Sequence, residues 1–345
     1  MSRRKLIFVA TSAVVAMCLA TANSAFADNG SSSDEAVSSV TKADPSLAED
    51  AVKGSEENIT GQSPLNVGDS QITLPKDAAK TIEVDSKDRS DISVSLPFAE
   101  TAASAQVVAD RVVYDNQNGS KTVPVPRGDG SMQINTVIES PSAPTAYPYT
   151  FSVPGTAEVR EEGGTILFLD QDGKMLGGLA PAWAKDANGN SVPTHYEVSG
   201  TAVTQVIEHG EGSAYPIVAD PWWDDMLFKD FTDSRKPYYN GQPVYSAMLT
   251  SWGRSVYIGE FRRIPPTPGS TLFGNTIIRT YGWDEWKTYL VGPDPADTLK
   301  QQYDCHVLGG YDVFHAGFHW DLEAGRSSKP NWLFDLPDHG CNWED

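Results

Sequence analysis

From Leu65 to Val218 apolar residues return at every second position: Ile72/Leu74, Ile82/Val84, Ile92/Val94/Leu96, Met132/Ile134/Thr136/Ile138, Tyr149/Phe151/Val153, Ile166/Phe168 and Val203/Gln205/Ile207. Side chains alternate across a strand, so each set occupies one face of an extended segment. Asn118-Gly119, Asp129-Gly130, Asp172-Gly173 and Asn188-Gly189 stand between the runs, and such dipeptides tolerate the positive φ of tight hairpin turns. No helical crossover pattern separates the runs, which favours an antiparallel β-sandwich over a parallel sheet. The Pro/Ser/Ala-rich stretch from Ser140 to Pro148 divides residues 65–220 into two sheets or two small domains.

Between Ala214 and Trp223 the chain changes character. Pro216 and Pro221 deny a helix there and bias Tyr215 and Asp220 toward extended backbone. Upstream lie one tryptophan and two histidines; downstream lie eight tryptophans and four histidines. A small α+β C-terminal domain is therefore expected over residues 222–345, with a protease-sensitive joint near Pro221. Within it, Arg254 to Phe261 reads as a strand with Val256 and Ile258 on one face, ended by Ile264 to Gly269. Trp283, Trp286 and Leu290 have the spacing of a buried helical stripe, from which Asp284, Glu285 and Lys287 point away. Asp297 or Thr298 caps a second helix that carries Leu299 and Tyr303 into Cys305. The fold class is mainly β.

Residues 1–27 read as an export signal: Arg3-Arg4-Lys5, an apolar run from Leu6 to Ala20, and a small-x-small site at Ala25-Phe26-Ala27. A twin-arginine route through Arg3-Arg4 and lipidation of Cys18 are weaker readings, since Met17 stands where lipidation wants a small residue. The mature chain is expected to be secreted, without a membrane span. The signal holds three basic and no acidic residues, which leaves 23 basic against 46 acidic residues. Such a field repels phosphate backbones, so nucleic acid is excluded as a partner. Residues 28–64 are rich in Ser, Asp, Glu, Ala and Gly without an aromatic residue, the composition of a disordered leader, pro-segment or spacer.

No Gly-x-Ser-x-Gly, His-Glu-x-x-His, Walker or dinucleotide motif occurs. Arg127-Gly128-Asp129 matches an adhesion tripeptide and Asp170 to Gly173 the start of a calcium loop; both fit turns as well, and the second lacks its closing carboxylate. Asn29, Asn58 and Asn118 fit the glycosylation tripeptide. The best catalytic candidates are His319, Asp321 and Glu323, which a strand places on one face opposite Phe318, Trp320 and Leu322. They have the chemistry for acid/base work or for a divalent metal, with His306 or His315 as further members. The competing reading is an ordinary half-buried strand with a solvated polar face. Asp321 and Glu323 would stand about 6.5 to 7 Å apart on the same side, whereas a glycosidase pair must flank the scissile bond. No cofactor is implied.

Gln302-Tyr-Asp-Cys305-His306, Trp320-Asp-Leu322-Glu323 and Cys341-Asn342, with Ser251-Trp-Gly-Arg254 and Trp283-Asp-Glu-Trp286, resemble a C-terminal domain of unknown function of secreted actinobacterial proteins. The resemblance covers about residues 245–342 and implies a small mixed domain with one disulfide and no assigned activity. Ser140 to Tyr147 and Ala184 to Gly189 resemble a β-rich region of similar secreted proteins. Independently, Cys305 and Cys341 are the only cysteines outside the signal, so an exported chain is expected to pair them; zinc ligation is a weaker rival. The function expected first is a secreted non-catalytic protein that binds a cell-wall polymer, a glycan or a protein. The alternatives are a glycoside-directed hydrolase using His319, Asp321 and Glu323, and an exported antagonistic toxin.

Overall fold

The computed structural model describes residues 29–61, 63–87, 89–231, 238–259, 276–290, 297–308, 319–332, 341 and 343. The expected signal, the break at 264–269, His315 and Phe318 lie outside the described residues.

The alternating runs form two antiparallel sheets. One has seven strands in the order Leu65–Val67, Ser70–Thr73, Ile82–Ser86, Ile92–Ser95, Ala146–Ser152, Ala202–Ile207 and Thr194–Ser199. The other has ten, running Glu158–Glu162, Thr165–Leu169, Met175–Leu179, Trp222–Asp224, Met132–Ile138, Ser120–Pro126, Arg111–Asp115 and Gln106–Val108. Ile217–Asp220 joins it beside Met132–Ile138, and Trp183–Lys185 pairs with Ile217–Asp220. Ile72, Val84, Val94, Phe151 and Val203 of the first sheet share one buried core with Ile134, Ile166, Phe168 and Leu179 of the second. Residues 65–220 are thus one sandwich, and the stretch from Ser140 carries the chain from one sheet to the other. All four turn dipeptides have their glycine at positive φ.

The leader departs from its expected disorder. Asn29–Ala43 is a helix (α1), followed by short helices Leu47–Asp50 (α2) and Glu56–Ile59 (α3). Ala36, Val40, Ala43 and Leu47 form a stripe at helical spacing that packs on Val113, Val123, Val125, Val137 and Val218 of the ten-stranded sheet. A composition argument misses this because the helix needs no core of its own; it covers a face that the sheet already presents. Arg127, 1% exposed, fixes the end of the strap: its guanidinium meets Asp50 at 2.9 Å and Asp44 at 3.5 Å, and lies 4.5 Å over the Trp222 ring.

The chain crosses the two prolines extended, as expected, but the joint is not a linker. Trp222–Asp224 is a strand inside the ten-stranded sheet, so the C-terminal unit begins after Asp224 rather than at 222. Its small sheet combines Phe228–Lys229, Tyr238–Tyr239, Gln242–Leu249 and Trp320–Glu323. Leu167, Leu169, Ala180 and Trp222 of the sandwich contribute to the C-terminal core. Of the expected strand at Arg254 to Phe261, Arg254 to Ile258 is instead part of a helix, Ser251–Ile258 (α4), and Glu260 and Phe261 lie outside the described residues. Thr250 caps it by accepting the Gly253 N–H at 2.8 Å, and Trp252 and Val256, four apart, bury one stripe. Alternation of Val256 and Ile258 over so short a stretch does not separate the two periods. Gly253 is required there, because a Cβ would stand 2.2 Å from the Leu227 carbonyl oxygen.

A π-helical turn, Ile278–Gly282, runs into the helix Trp283–Lys287 (α5), and Asp297–Leu308 (α6) is the expected second helix. Trp286 and Leu290 are buried as the stripe requires. Cys305 and Cys341 form a disulfide with their Cα atoms 5.3 Å apart. No helix among the described residues is long and apolar enough to cross a membrane.

Candidate functional site

The two polar residues of the last strand, Asp321 and Glu323, are held by the framework. Trp320–Glu323 pairs antiparallel with Gln242–Leu249, which sets Asp321 opposite Ser246 and Glu323 opposite Val244. Trp320 and Leu322 enter the C-terminal core, so alternation turns Asp321 and Glu323 to the other face. The Asp321 carboxylate accepts a hydrogen bond from Ser246 Oγ. Glu323 is fully buried and ion-paired with Arg326, whose guanidinium lies 4.2 Å over the Tyr239 ring. The Gln302 amide brackets the same residue: its Nε2 donates to Glu323 O at 3.1 Å and its Oε1 accepts from Glu323 N at 2.8 Å.

Of the expected solvated polar face, Glu323 is fully buried, whereas His319 and Asp321 are half-buried. His319 precedes the strand, and its Nε2 has no hydrogen-bond partner among the described residues. His306 on α6 stacks on Trp320, ring centroids 5.5 Å apart, and so belongs to the face opposite Asp321. Among the described residues no group of three or more His, Cys, Asp or Glu side chains is placed to hold a metal, and Cys305 and Cys341 are joined in the disulfide.

Two concave places lie where the sandwich meets the C-terminal unit. The first, about 270 Å³, is bordered by Arg89, Lys174, Asp225, Tyr281, Asp284 and Glu285. Arg89 is its hub: Nε donates to Asp225 at 2.6 Å, Nη1 to the Asp129 carbonyl at 2.8 Å, and Nη2 meets the buried Asp224 carboxylate. The second Asp225 oxygen accepts Ser90 N–H at 2.7 Å. Glu285 was expected to point away from the core. Its carboxylate instead turns inward and accepts the backbone N–H groups of Leu227 at 3.0 Å and Phe228 at 3.1 Å. Burial pushes its carboxyl up to about 8, with Asp225 adding to the rise; the two backbone N–H groups and Arg89 oppose it. Burial also raises the Tyr281 phenol.

The second place is a recess of about 110 Å³ bounded by the end of α1, the strand Trp183–Lys185, Trp222, and Ser255 to Gly259 at the end of α4. Trp183 and Lys185, two apart, share one strand face, and the Lys185 ammonium lies 5.3 Å from the Trp183 ring centroid.

The remaining motifs have structural uses. Arg127 of the adhesion-like tripeptide is buried against α1 and α2. Asp170 Oδ1 accepts the N–H groups of Asp172 and Lys174, closing a hairpin turn. Asn58 is 8% exposed and engaged with Ser55 and Ser63. Sequence reasoning missed the Arg89, Asp224, Asp225 and Glu285 cluster, because Arg89, the Asp224-Asp225 pair and Glu285 lie far apart in the chain. The Trp183-Ala184-Lys185 alternation was a readable signal for the recess. No protein-family model matches the chain, and no curated protein sequence is significantly similar to it.

Proposed function

We propose that the chain is an exported, non-catalytic protein that binds a partner at the cell envelope, with the sandwich as scaffold. The observation that carries this reading is the engagement of Asp321 and Glu323: one is bonded to Ser246, the other is buried against Arg326. An acid/base pair must reach a substrate on both sides of the bond to be cleaved, and a fully buried carboxylate held by a guanidinium does not. A protein or peptide partner is favoured over a flat sugar surface because Trp252, Trp286 and Trp320 are fully buried core residues, while the exposed large hydrophobics among the described residues are Tyr238 and Tyr289.

The test pairs two measurements. A screen of ester, peptide and glycoside substrates should give no turnover, and the mature protein should be retained on purified Gram-positive sacculi with their attached proteins and released by protease treatment of those sacculi. Turnover by the wild type that disappears in Asp321→Ala or Glu323→Ala would overturn the reading in favour of a hydrolase.

A further inference from the structure

We infer that the recess between α1, Trp183, Trp222 and α4 is a binding site for a small carboxylate with an apolar body about one ring in size. This deepens the binding reading above and rests on it. The volume sets the size: the recess is partly open and offers about 110 Å³, against about 150 Å³ for a closed apolar cavity that holds one benzene ring, so a single ring enters it only with its carboxylate left at the mouth. The walls set the apolar body, since two indoles, Pro181 and Ile258 border the space. Trp222 is held rigidly, with Nε1 donating to Ser131 Oγ at 3.0 Å and Arg127 on its ring. A wall fixed in this way loses little freedom when a ligand packs on it.

Lys185 sets the charge. Its ammonium donates to the Ala43 carbonyl at 2.6 Å, and of its three donors that is one. The others have no hydrogen-bond partner among the described residues and can serve an acceptor placed in the recess, where a charge-assisted bond is shorter and stronger than a neutral one. Asp44 also borders the recess, but its carboxylate is directed to Ser46 and Arg127 rather than left as an open counter-charge. An apolar group bearing a carboxylate therefore satisfies both walls and cation, and a cationic ligand would meet Lys185 with like charge.

The site also depends on three separate parts of the chain. The end of α1 supplies Ala43 and Asp44, the sandwich supplies Trp183, Lys185 and Trp222, and the C-terminal unit supplies Ser255, Ile258 and Gly259. Occupancy would thus couple the N-terminal strap to the C-terminal unit.

The experiment titrates the full mature chain with phenylacetate and with its neutral isostere phenylacetamide, read by tryptophan fluorescence and by ligand-observed NMR. Phenylacetate should saturate with a Kd on the order of 1 mM or tighter, the range open to about ten heavy atoms. It should bind at least tenfold more tightly than the amide, the scale of one hydrogen bond to a charged group. Lys185→Met should bring the two ligands to parity, and Trp183→Ala should abolish both. The wild-type comparison stands even if either variant folds poorly. No saturable binding, or equal affinity for acid and amide in the wild type, would overturn the assignment. Loss of sacculus retention with phenylacetate binding intact would fall on the proposed function alone.

Discussion

Trp222 and Trp223 are neighbours in sequence and belong to different cores. Trp223 enters the sandwich, stacked 6.1 Å from Phe151 and edge-on to Phe168 at 5.4 Å. Trp222 enters the C-terminal core, and its backbone carbonyl accepts the Trp252 indole N–H at 2.9 Å. One strand thereby fastens the two halves, because consecutive side chains leave its opposite faces.

Limited proteolysis should therefore leave one resistant core that begins near residue 29 and passes uncut through Pro221. Trp222→Ala should cost about 3 kcal/mol, the lower end for aromatic deletions, because one side of the ring borders the recess. Denaturant unfolding of the wild type should be a single transition that moves to lower denaturant as a whole in the variant. Two stable fragments meeting near Pro221 would contradict the shared core.

The sandwich was legible because period-two alternation and glycine turns are local signals, and both were present from Ile72 to Ile207. The disulfide was legible from counting. What local pattern could not supply was the second surface against which an element packs. Ala36, Val40 and Ala43, at helical spacing, look too small to make a core until the valine face of the sheet is present. Likewise Glu285 looks like a solvated helix residue until Leu227 and Phe228 bring unpaired N–H groups to it. The polar face of Trp320–Glu323 was read correctly as a face, and its burial was missed at Glu323 alone, because the covering Arg326 comes after the strand ends, while Asp321 stays half-buried on Ser246.

Arg127 gives a test of the N-terminal strap. Asp50 is half exposed while Arg127 is 1% exposed, so Asp50→Ala alone should cost less than about 1 kcal/mol. Asp44→Ala combined with Asp50→Ala leaves the guanidinium buried beside Gln133 and Trp222 with no counter-charge, and should cost on the order of 3 kcal/mol. Thermal or urea unfolding of the two single variants and the double variant would check the coupling. Strict additivity of the two single effects would show that Asp44 and Asp50 do not share the charge.

The disulfide closes 37 residues from Cys305 to Cys341. On the chain-entropy model such a loop contributes about 4 kcal/mol. Cys305→Ser with Cys341→Ser should lower the unfolding free energy by about that amount, measured by urea denaturation without reductant. Two free thiols titrated in the native protein would exclude the bond.

Glu285 should make the junction sensitive to alkaline pH. Its carboxyl is pushed up to about 8 by burial, whereas an unfolded glutamate titrates near 4.3. Between those values the folded state binds more protons than the unfolded state, so stability must fall as pH rises. The contribution is fully present below about pH 4.3 and lost by about pH 8, with a limiting slope of about 1.4 kcal/mol per pH unit. Other acidic residues titrate in the lower part of the window, so the informative quantity is the difference between wild type and Glu285→Gln. The variant keeps one oxygen for the Leu227 or Phe228 N–H and has nothing to ionise. At pH 5 the protonated carboxyl and the Gln amide each offer one carbonyl acceptor, so the two proteins should lie within about 1 kcal/mol of each other, and by pH 8 the variant should be the more stable. Urea midpoints taken at half-unit steps from pH 5 to 8.5 would show the difference widening with pH. Parallel profiles for the two proteins would mean that Glu285 is already ionised across the range and that the two backbone N–H groups, rather than burial, set its charge.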